Sequence, residues 1–254
     1  MHRFYVAPEQ LADETVTLCP RETHHALHVL RVRPSEQVEL LDGMGQVALA
    51  EVIATGRREV RLRVRQRRRH ARPGGRLTLV VGLVKGGAFE QILEKATELG
   101  VARVQPVFTV RTVVHIRPAE MEARLEKWRW VTVDALKQCG GPWLPEIGRP
   151  MPLRLWLEQR PGFDLEMYGA LGRAGATLRR RLLRYRAAHQ ERPPETVAAY
   201  VGPEGDFSPE ECAALEAAGV EPVGLGSRVL RSETAALVFA AIVRSEFDEG
   251  EGGC

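Results

Sequence analysis

The sequence predicts an α/β fold, in which a small β-rich domain precedes a larger domain built on a parallel sheet. Three observations predict it. From Arg76 onward, continuous apolar runs alternate with helical patterns, as strands buried on both faces alternate with crossover helices. Before Arg76, short segments alternate apolar and polar residues, as half-buried strands do. Between them, His70 to Gly75 (HARPGG) reads as a linker. The expected domains are therefore 1–72 and 76–248.

The 254 residues suffice for two modest domains, and the 44% hydrophobic share is that of an ordinary globular protein. No window approaches the roughly eighteen apolar residues of a membrane span, and the N-terminus lacks an apolar signal core. Cys19, Cys139, Cys212 and Cys254 show no CxxC or zinc spacing and read as reduced thiols of a cytoplasmic protein. The net charge of +3 hides a segregation: residues 57–72 hold nine arginines against one Glu, while residues 195–254 hold three arginines and twelve acidic residues. A basic segment of that density suggests a polyanion partner.

In chain order, Arg3-Phe4-Tyr5-Val6 sets a cation beside aromatics, which suits either a first strand or RNA contact. Arg21 to Leu30 reads as a short helix with Leu27 and Leu30 inward. His24 and His28 lie one turn apart, but with no third ligand they read as exposed or RNA-facing rather than metal-bound. Strands are expected at Val38 to Leu41, Gln46 to Ala54 and Glu59 to Arg67, with Asp42-Gly43 as the turn between the first two. In the last, Val60, Leu62 and Val64 alternate with Arg61, Arg63 and Arg65. That gives one apolar and one basic face, for RNA or for a soluble edge.

In the second domain, Leu77 to Val84 reads as a buried strand, Phe89 to Leu99 as a helix stopped by Gly100, and Val101 to Phe108 as the next strand. This order implies a right-handed parallel unit. Glu120 to Cys139 is a long helix with Leu125, Trp128, Val131 and Leu136 inward, and Leu153 to Glu158 a shorter one. Asp164 to Leu171 is a candidate strand. The arginine-rich 173–194 reads as a short helix plus an exposed loop, either touching RNA or simply solvated. Thr196 to Val201 is a strand ending in the turn Gly202-Pro203-Glu204-Gly205. Ser208 as N-cap, Pro209 at the first helical position and Glu211 completing a capping box then start a helix that ends at Gly219. A short strand, Val220 to Gly224, leads into a second glycine turn, Leu225-Gly226-Ser227-Arg228. Ser232 and Glu233 open a last helix, apolar nearly all round from Ala235 to Val243, which suits burial against the core or a partner.

Two glycine turns thus each follow a strand and lead towards a helix, the place where parallel sheets bind ligands. Taken together, VGPEGDFSPEE and LGSRVLRSETAA closely resemble the two C-terminal motifs of the RsmE family. These are SPOUT-class, S-adenosylmethionine-dependent methyltransferases of N3 of a uridine in 16S ribosomal RNA. KGGAFEQILEKATELGV (Lys85 to Val101) resembles the family's first methyltransferase segment, and MHRFYV and HALHVLRV resemble its N-terminal domain.

The resemblance implies a PUA-like β-barrel followed by a SPOUT domain with a C-terminal deep trefoil knot. S-adenosylmethionine would be held there mostly by backbone from three loops. Two loops match: Gly202, Pro203, Glu204 and Gly205, then Leu225 and Gly226 with Val229, Leu230, Arg231 and Ser232. Thr234 and Ala235 start the helix beneath the cofactor. The third loop, after Met167 to Leu171, matches poorly, and no residue is carried over there. Arg231 is the candidate for contacting the target uracil, its alternative being an ion pair with Glu233 or Glu98. Glu204 and Glu233 are candidate proton acceptors or helix-start carboxylates. Lys95, Thr97 and Glu98 are candidate scaffold. Arg3, Arg31, Arg61, Arg63 and Arg65 are candidate RNA contacts. The implied partners are the small ribosomal subunit with its 16S RNA and a second copy of the chain, with no metal and no membrane.

Departures from the family pattern are local. KGDRME reads Lys85-Gly86-Gly87-Ala88-Phe89-Glu90 here, and EQCGR reads Lys137-Gln138-Cys139-Gly140-Gly141. Competing readings are a SPOUT enzyme acting on a ribose 2′-hydroxyl, a non-catalytic RNA-binding protein and, more distantly, a nucleotide-binding oxidoreductase, for which no GxGxxG follows a strand.

Overall fold

The computed structural model describes residues 1–170 and 175–247. The chain divides into two compact units: Met1–Arg72 with Thr132–Leu144, and Pro73–Val131 with the chain from Pro145 onward. The expected boundary at 248 lies outside the described residues.

The first unit holds β1 (His2–Tyr5), β2 (Thr15–Thr17), α1 (Pro20–His24, running on as a π-helical stretch His25–Leu30), β3 (Gln37–Leu41), β4 (Gln46–Thr55) and β5 (Val60–Arg69). They form one sheet in the order β1-β3-β4-β5-β2. β1 is parallel to β3 and the remaining pairs are antiparallel. The Asp42-Gly43 turn forms because Asp42 Oδ1 accepts the amides of Met44 (2.7 Å) and Gln46 (2.9 Å). Val60 and Leu62 are buried and Arg61 and Arg63 exposed, as the alternation requires. The pairing of β4 with β5 slips between Leu49 and Ala50, and beyond that bulge Gln66 to Arg69 are all exposed.

A buried ion pair ties Thr132–Leu144 to this sheet. Glu22 is wholly buried, accepts the Tyr5 amide (3.2 Å) and pairs with Lys137 Nζ at 2.7 Å. Lys137 also meets Asp134 at 3.0 Å. Arg3 donates to Glu39 (2.9 Å) and to the carbonyls of Lys137 (3.1 Å) and Gln138 (3.0 Å).

The second unit holds β6 (Arg76–Gly82), α2 (Ala88–Glu98), β7 (Arg103–Phe108), α3 (Met121–Cys139, grouped with the first unit from Thr132), β8 (Glu146–Ile147), β9 (Met151–Pro152), α4 (Leu153–Gln159) and β10 (Leu165–Gly169). It continues with α5 (Leu178–Ala188), β11 (Thr196–Val201), α6 (Pro209–Ala217), β12 (Glu221–Val223) and α7 (Ser232–Phe247). The strands form a parallel sheet ordered β12-β10-β11-β6-β7-β8, with β9 also on β7. The chain builds β6 and β7 in one direction, then crosses back to lay β10, β11 and β12 on the other side of β6. Both sheet faces are covered. Leu79, Val81 and Val197 meet Ile92, Phe239 and Ala240 on one face; Val80, Ala198 and Tyr200 meet Trp156, Phe207 and Leu215 on the other.

A polar network lies inside this unit. Glu166 accepts from Tyr200 Oη (2.6 Å) and from Arg160 Nε (2.8 Å), and Arg160 also donates to the Ala218 carbonyl (2.8 Å). Burial, then the Glu166 carboxylate, pushes the Tyr200 phenol well above its usual range. No helix among the described residues is long and apolar enough to cross a membrane.

The Glu22–Lys137 pair carries a stability prediction. Lys137→Met leaves a buried carboxylate without its cation, so urea unfolding should show a loss of about 3 kcal/mol. A change below about 0.5 kcal/mol would mean that the pair is dispensable.

Candidate active site

The C-terminal ends of β6, β10, β11 and β12 open onto one cleft of about 850 Å³. Lys85 and Ala88 line it after β6, Gly169 and Ala170 at the end of β10, Gly202 to Glu204 with Asp206 after β11, and the run from Leu225 to Glu233 after β12.

The first turn is shaped by close approach. A Cβ on Gly82 would stand 2.5 Å from Pro203 Cδ and 2.7 Å from its nitrogen. One on Gly202 would stand 2.7 Å from Asp206 Oδ1. Asp206 takes the left-handed region (φ +60°), and its Oδ1 accepts the Phe207 amide at 2.8 Å. Arg111 clamps the turn from outside by donating to the Gly205 carbonyl at 2.6 Å. The expected capping box forms: Ser208 Oγ accepts the Glu211 amide (3.2 Å) and Glu211 Oε2 accepts the Ser208 amide (2.9 Å). The other Glu211 oxygen accepts the Val110 amide at 2.8 Å. The Ser208 hydroxyl holds the neighbouring Glu210 carboxyl below the usual range.

The second turn is built differently. Leu225 to Leu230 hydrogen-bond to no other described residue, although they line the cleft. Gly226 sits at φ +127°, where only glycine is at ease. Six successive residues therefore present backbone donors and acceptors without a partner among the described residues, beside the apolar Ala88, Val201 and Ala235.

Three cations (Lys85, Arg228, Arg231) and three carboxylates (Glu204, Asp206, Glu233) face this space. Arg231 is exposed and pairs with neither Glu233 nor Glu98; Glu98 instead meets Lys95 at 2.8 Å. Glu204 accepts the Lys85 amide at 2.9 Å, which joins the loop after β6 to the turn after β11. Glu233 stands in the first turn of α7, where the helix dipole favours a carboxylate. Tyr168 lies just behind the cleft, but burial, then its 2.6 Å hydrogen bond to Glu216, raises its phenol well above the usual range and keeps it neutral.

Of the residues expected at the cofactor, Gly202, Pro203, Glu204, Leu225, Gly226, Val229, Leu230, Ser232 and Ala235 come together here. Gly205 instead packs against the Arg111 side chain, and Thr234 is exposed on α7 outside the cleft. The loop expected after Met167 to Leu171 contributes Gly169 and Ala170, and residues 171–174 lie outside the described residues. Lys85, Asp206 and Arg228 were not expected. Lys85 had its signal in Gly86-Gly87, and Arg228 in the glycine turn it occupies.

In the first unit, Arg63 is exposed without an ion pair among the described residues, Arg61 approaches Glu59 at 3.5 Å and Arg65 pairs with Glu51 at 2.5 Å. Arg31 is exposed in a left-handed conformation (φ +56°), and Arg3 is engaged as described above. The His24 and His28 rings lie 4.7 Å apart. No group of three potential metal ligands occurs among the described residues.

Residues 71–244 match the RNA methyltransferase domain family, and residues 18–65 match the RNA methyltransferase PUA domain. Fold and cleft thus define an RNA methyltransferase with a PUA-type domain. The chain is 30% identical to ribosomal RNA small subunit methyltransferase E of Synechocystis, covering 96% of this chain and 77% of that one. It is 32% identical to the enzyme of the same name from Mycobacterium bovis, over 92% and 88%. The structure of this methyltransferase from Neisseria gonorrhoeae, bound to S-adenosylmethionine, superposes with a TM-score of 0.83 at 28% identity, covering 96% and 97%. A Legionella pneumophila methyltransferase with bound S-adenosylmethionine superposes at 0.84, with 27% identity and 96% of both chains covered. The chain belongs to the ribosomal RNA small subunit methyltransferase E (RsmE) family.

Gly82→Ala tests the close approach at the first turn. The added methyl must displace Pro203, so the variant should lose about 1–3 kcal/mol in thermal or urea unfolding. Amide exchange at Asp206 and Phe207 should quicken. Unchanged exchange there would show that the turn does not depend on this contact.

Proposed function

We propose that this protein transfers the methyl group of S-adenosylmethionine to N3 of a uridine in 16S ribosomal RNA, on the assembled small subunit. The observation that carries the reading is the backbone from Leu225 to Leu230, unpaired among the described residues at the strand ends, in a chain whose relatives are named ribosomal RNA small subunit methyltransferases.

The residues present fit the cofactor. The cleft volume of about 850 Å³ is ample for a nucleoside-sized ligand. Leu225 to Leu230 offer the backbone donors and acceptors that an adenine edge and ribose hydroxyls need, and Ala88, Val201 and Ala235 offer an apolar floor. When bound, S-adenosylmethionine supplies an electrophilic methyl group on a sulfonium. Glu204, Asp206 and Glu233 give the cleft a negative field that suits a cationic ligand.

The chain must also orient the uracil and stabilise the charge that develops as N3 loses its proton. Arg231 is free for this: its guanidinium has no competing partner among the described residues and can donate to a uracil carbonyl or an adjacent phosphate. Glu233 is the carboxylate among the expected acceptors whose oxygens hold no other donor among the described residues, whereas Glu204 is committed to the Lys85 amide. Arg63 and its neighbours on β5 hold the RNA backbone.

The C-terminal segment is knotted in this reading. Its support is the path from edge strand β12, through Leu225–Arg231, to α7, which packs under β6 and β11 in mid-sheet. A homodimer is supported by Leu237, Val238 and Ile242, apolar residues of α7 that are only half-buried. We place the enzyme in the cytoplasm, where its RNA is.

The test is methyl transfer from labelled S-adenosylmethionine to purified small subunits that lack the modification, with the product nucleoside identified. N3-methyluridine is the expected product. Arg231→Ala should lower kcat by about 10²–10³ while leaving cofactor affinity within about threefold. A ribose-methylated product, or full activity in the variant, sinks the corresponding part of the reading.

Cofactor binding has its own check. Gly226→Val forces a β-branched residue into a glycine-only conformation, which strains the loop by about 1–3 kcal/mol. Calorimetry should show S-adenosylmethionine binding weakened about tenfold or more, while Thr234→Ala stays within about twofold. Equal effects from the two would argue against the Leu225–Leu230 loop as the cofactor's seat.

A further inference from the structure

We propose that α5 is an additional RNA-docking surface, on which Arg179, Arg180 and Arg184 bind phosphates of the strand leading away from the target nucleotide. The inference rests on the RNA methyltransferase reading above.

The sequence of α5, LRRRLLRYRAA, holds five arginines and no acidic residue. Their roles divide. Arg181 pairs with Glu221, and Arg186 with Glu246 at 3.5 Å. Arg179, Arg180 and Arg184 are exposed, and their side chains have no ion pair or hydrogen-bond partner among the described residues. Leu178 and Leu182 bury the opposite side of the helix. Helical spacing therefore gathers the three unpaired guanidiniums on one outward face.

The arrangement opposes the helix's own electrostatics. The first turn carries Arg179 and Arg180 beside the positive end of the dipole, where a stable helix favours Asp or Glu. Arg180 and Arg184 are like charges one turn apart, which also repel. Thr177 Oγ1 caps the helix by accepting the Arg180 amide at 3.3 Å, so the end is built as a helix start despite its charge. Folding alone gives no reason for these cations. A polyanion bound across them does.

Their position gives the polyanion an identity. The Leu178 amide donates to the Gly224 carbonyl at 3.1 Å, and the Gly224 amide to the Ala176 carbonyl at 2.9 Å. The first turn of α5 is thus stitched to the residue from which the cleft loop Leu225–Arg231 departs. That loop carries two further cations unpaired among the described residues, Arg228 and Arg231. A nucleic acid with one base in the cleft has its neighbouring phosphates at hand for α5. Guanidinium groups suit phosphate oxygens bidentately. An anionic membrane is a poorer fit, since Leu183 is the one large apolar side chain exposed on this helix.

The experiment uses the full chain with Arg179→Gln, Arg180→Gln and Arg184→Gln combined. Binding to 16S RNA is titrated across a range of salt concentrations, independently of methyl transfer. The slope of log K against log salt should fall by about 2, at roughly 0.7–0.9 for each phosphate no longer neutralised. Affinity should weaken about tenfold or more, with S-adenosylmethionine binding unchanged. The thermal midpoint should hold or rise, because the repulsion is relieved. A control removes equal charge from exposed cations that are already paired: Lys127, Arg149 and Arg154, on Glu90, Glu122 and Glu158. If the control matches the triple variant, or the variant keeps wild-type affinity and slope, the inference fails. It fails too if free RNA binds normally and only assembled subunits bind weakly, since the arginines would then read a protein. A wild type that binds RNA through α5 yet methylates none would instead overturn the functional reading and spare this one.

Discussion

Backbone polarity at the ends of parallel strands is the constraint on which the second unit depends. A strand inside a parallel sheet satisfies its amides and carbonyls laterally, but the residues just past its C-terminal end have no such neighbour. Most loops here solve this locally. The turn after β11 uses Asp206 and Arg111, and α6 uses its capping box. The run after β12 does not solve it among the described residues: Leu225 to Leu230 keep their donors and acceptors open there, held at one end by Gly224 and at the other by α7. The sheet order follows the same logic. Because the chain lays β11 between β10 and β6, loops from four strands converge on one place.

Glycine makes that convergence possible where β6 ends. Gly82 lets the end of β6 touch the Gly202-Pro203 turn, where a Cβ would stand 2.5 Å from Pro203 Cδ. That contact leaves no room for a side chain, so this side of the cleft is set by van der Waals limits as well as by the bond from the Lys85 amide to Glu204. The first unit is held by a different force. A buried carboxylate at Glu22 needs a cation, and Lys137 supplies it from Thr132–Leu144. Lys137 stands where the family segment carries Glu, so this departure from the pattern has a partner close at hand. Gly140 and Gly141 follow, and the Arg3 guanidinium lies within 2.7 Å of where a Gly140 Cβ would stand.

Much of this was legible in the sequence. The buried strands Leu77 to Val84 and Thr196 to Val201 showed as apolar runs, and Ser208-Pro209-Glu210-Glu211 announced a helix start in which Ser208, Pro209 and Glu211 take their expected parts. The two cleft turns were legible because glycine, proline and a capping box leave local marks. Lys85 and Asp206 were harder to see. Lys85 reaches the cleft through its amide on Glu204, far along the chain, and Asp206 through a left-handed turn that favours glycine or asparagine. Glu22 gave no sign of burial, because its partner lies more than a hundred residues away. The end of alternation on β5 depended on a bulge, which pairing with β4 creates and composition does not reveal.

The distribution of paired and unpaired cations separates stability from use. Arg160 and Lys137 sit among carboxylates or carbonyls and hold elements together. Arg228 and Arg231 sit on the loop after β12 with no partner among the described residues, next to carboxylates that lie close enough to line the same cleft. A guanidinium with a carboxylate within reach would ordinarily settle into an ion pair, at little cost on a wet surface. For two of the acids the reason is their own placement: Glu204 is turned onto the Lys85 amide and Asp206 onto the Phe207 amide, while Glu233 stands in the first turn of α7 with no donor among the described residues. The fold thus commits two of the three acids to backbone and leaves both arginines without a partner among the described residues, facing the side from which an anionic ligand would arrive.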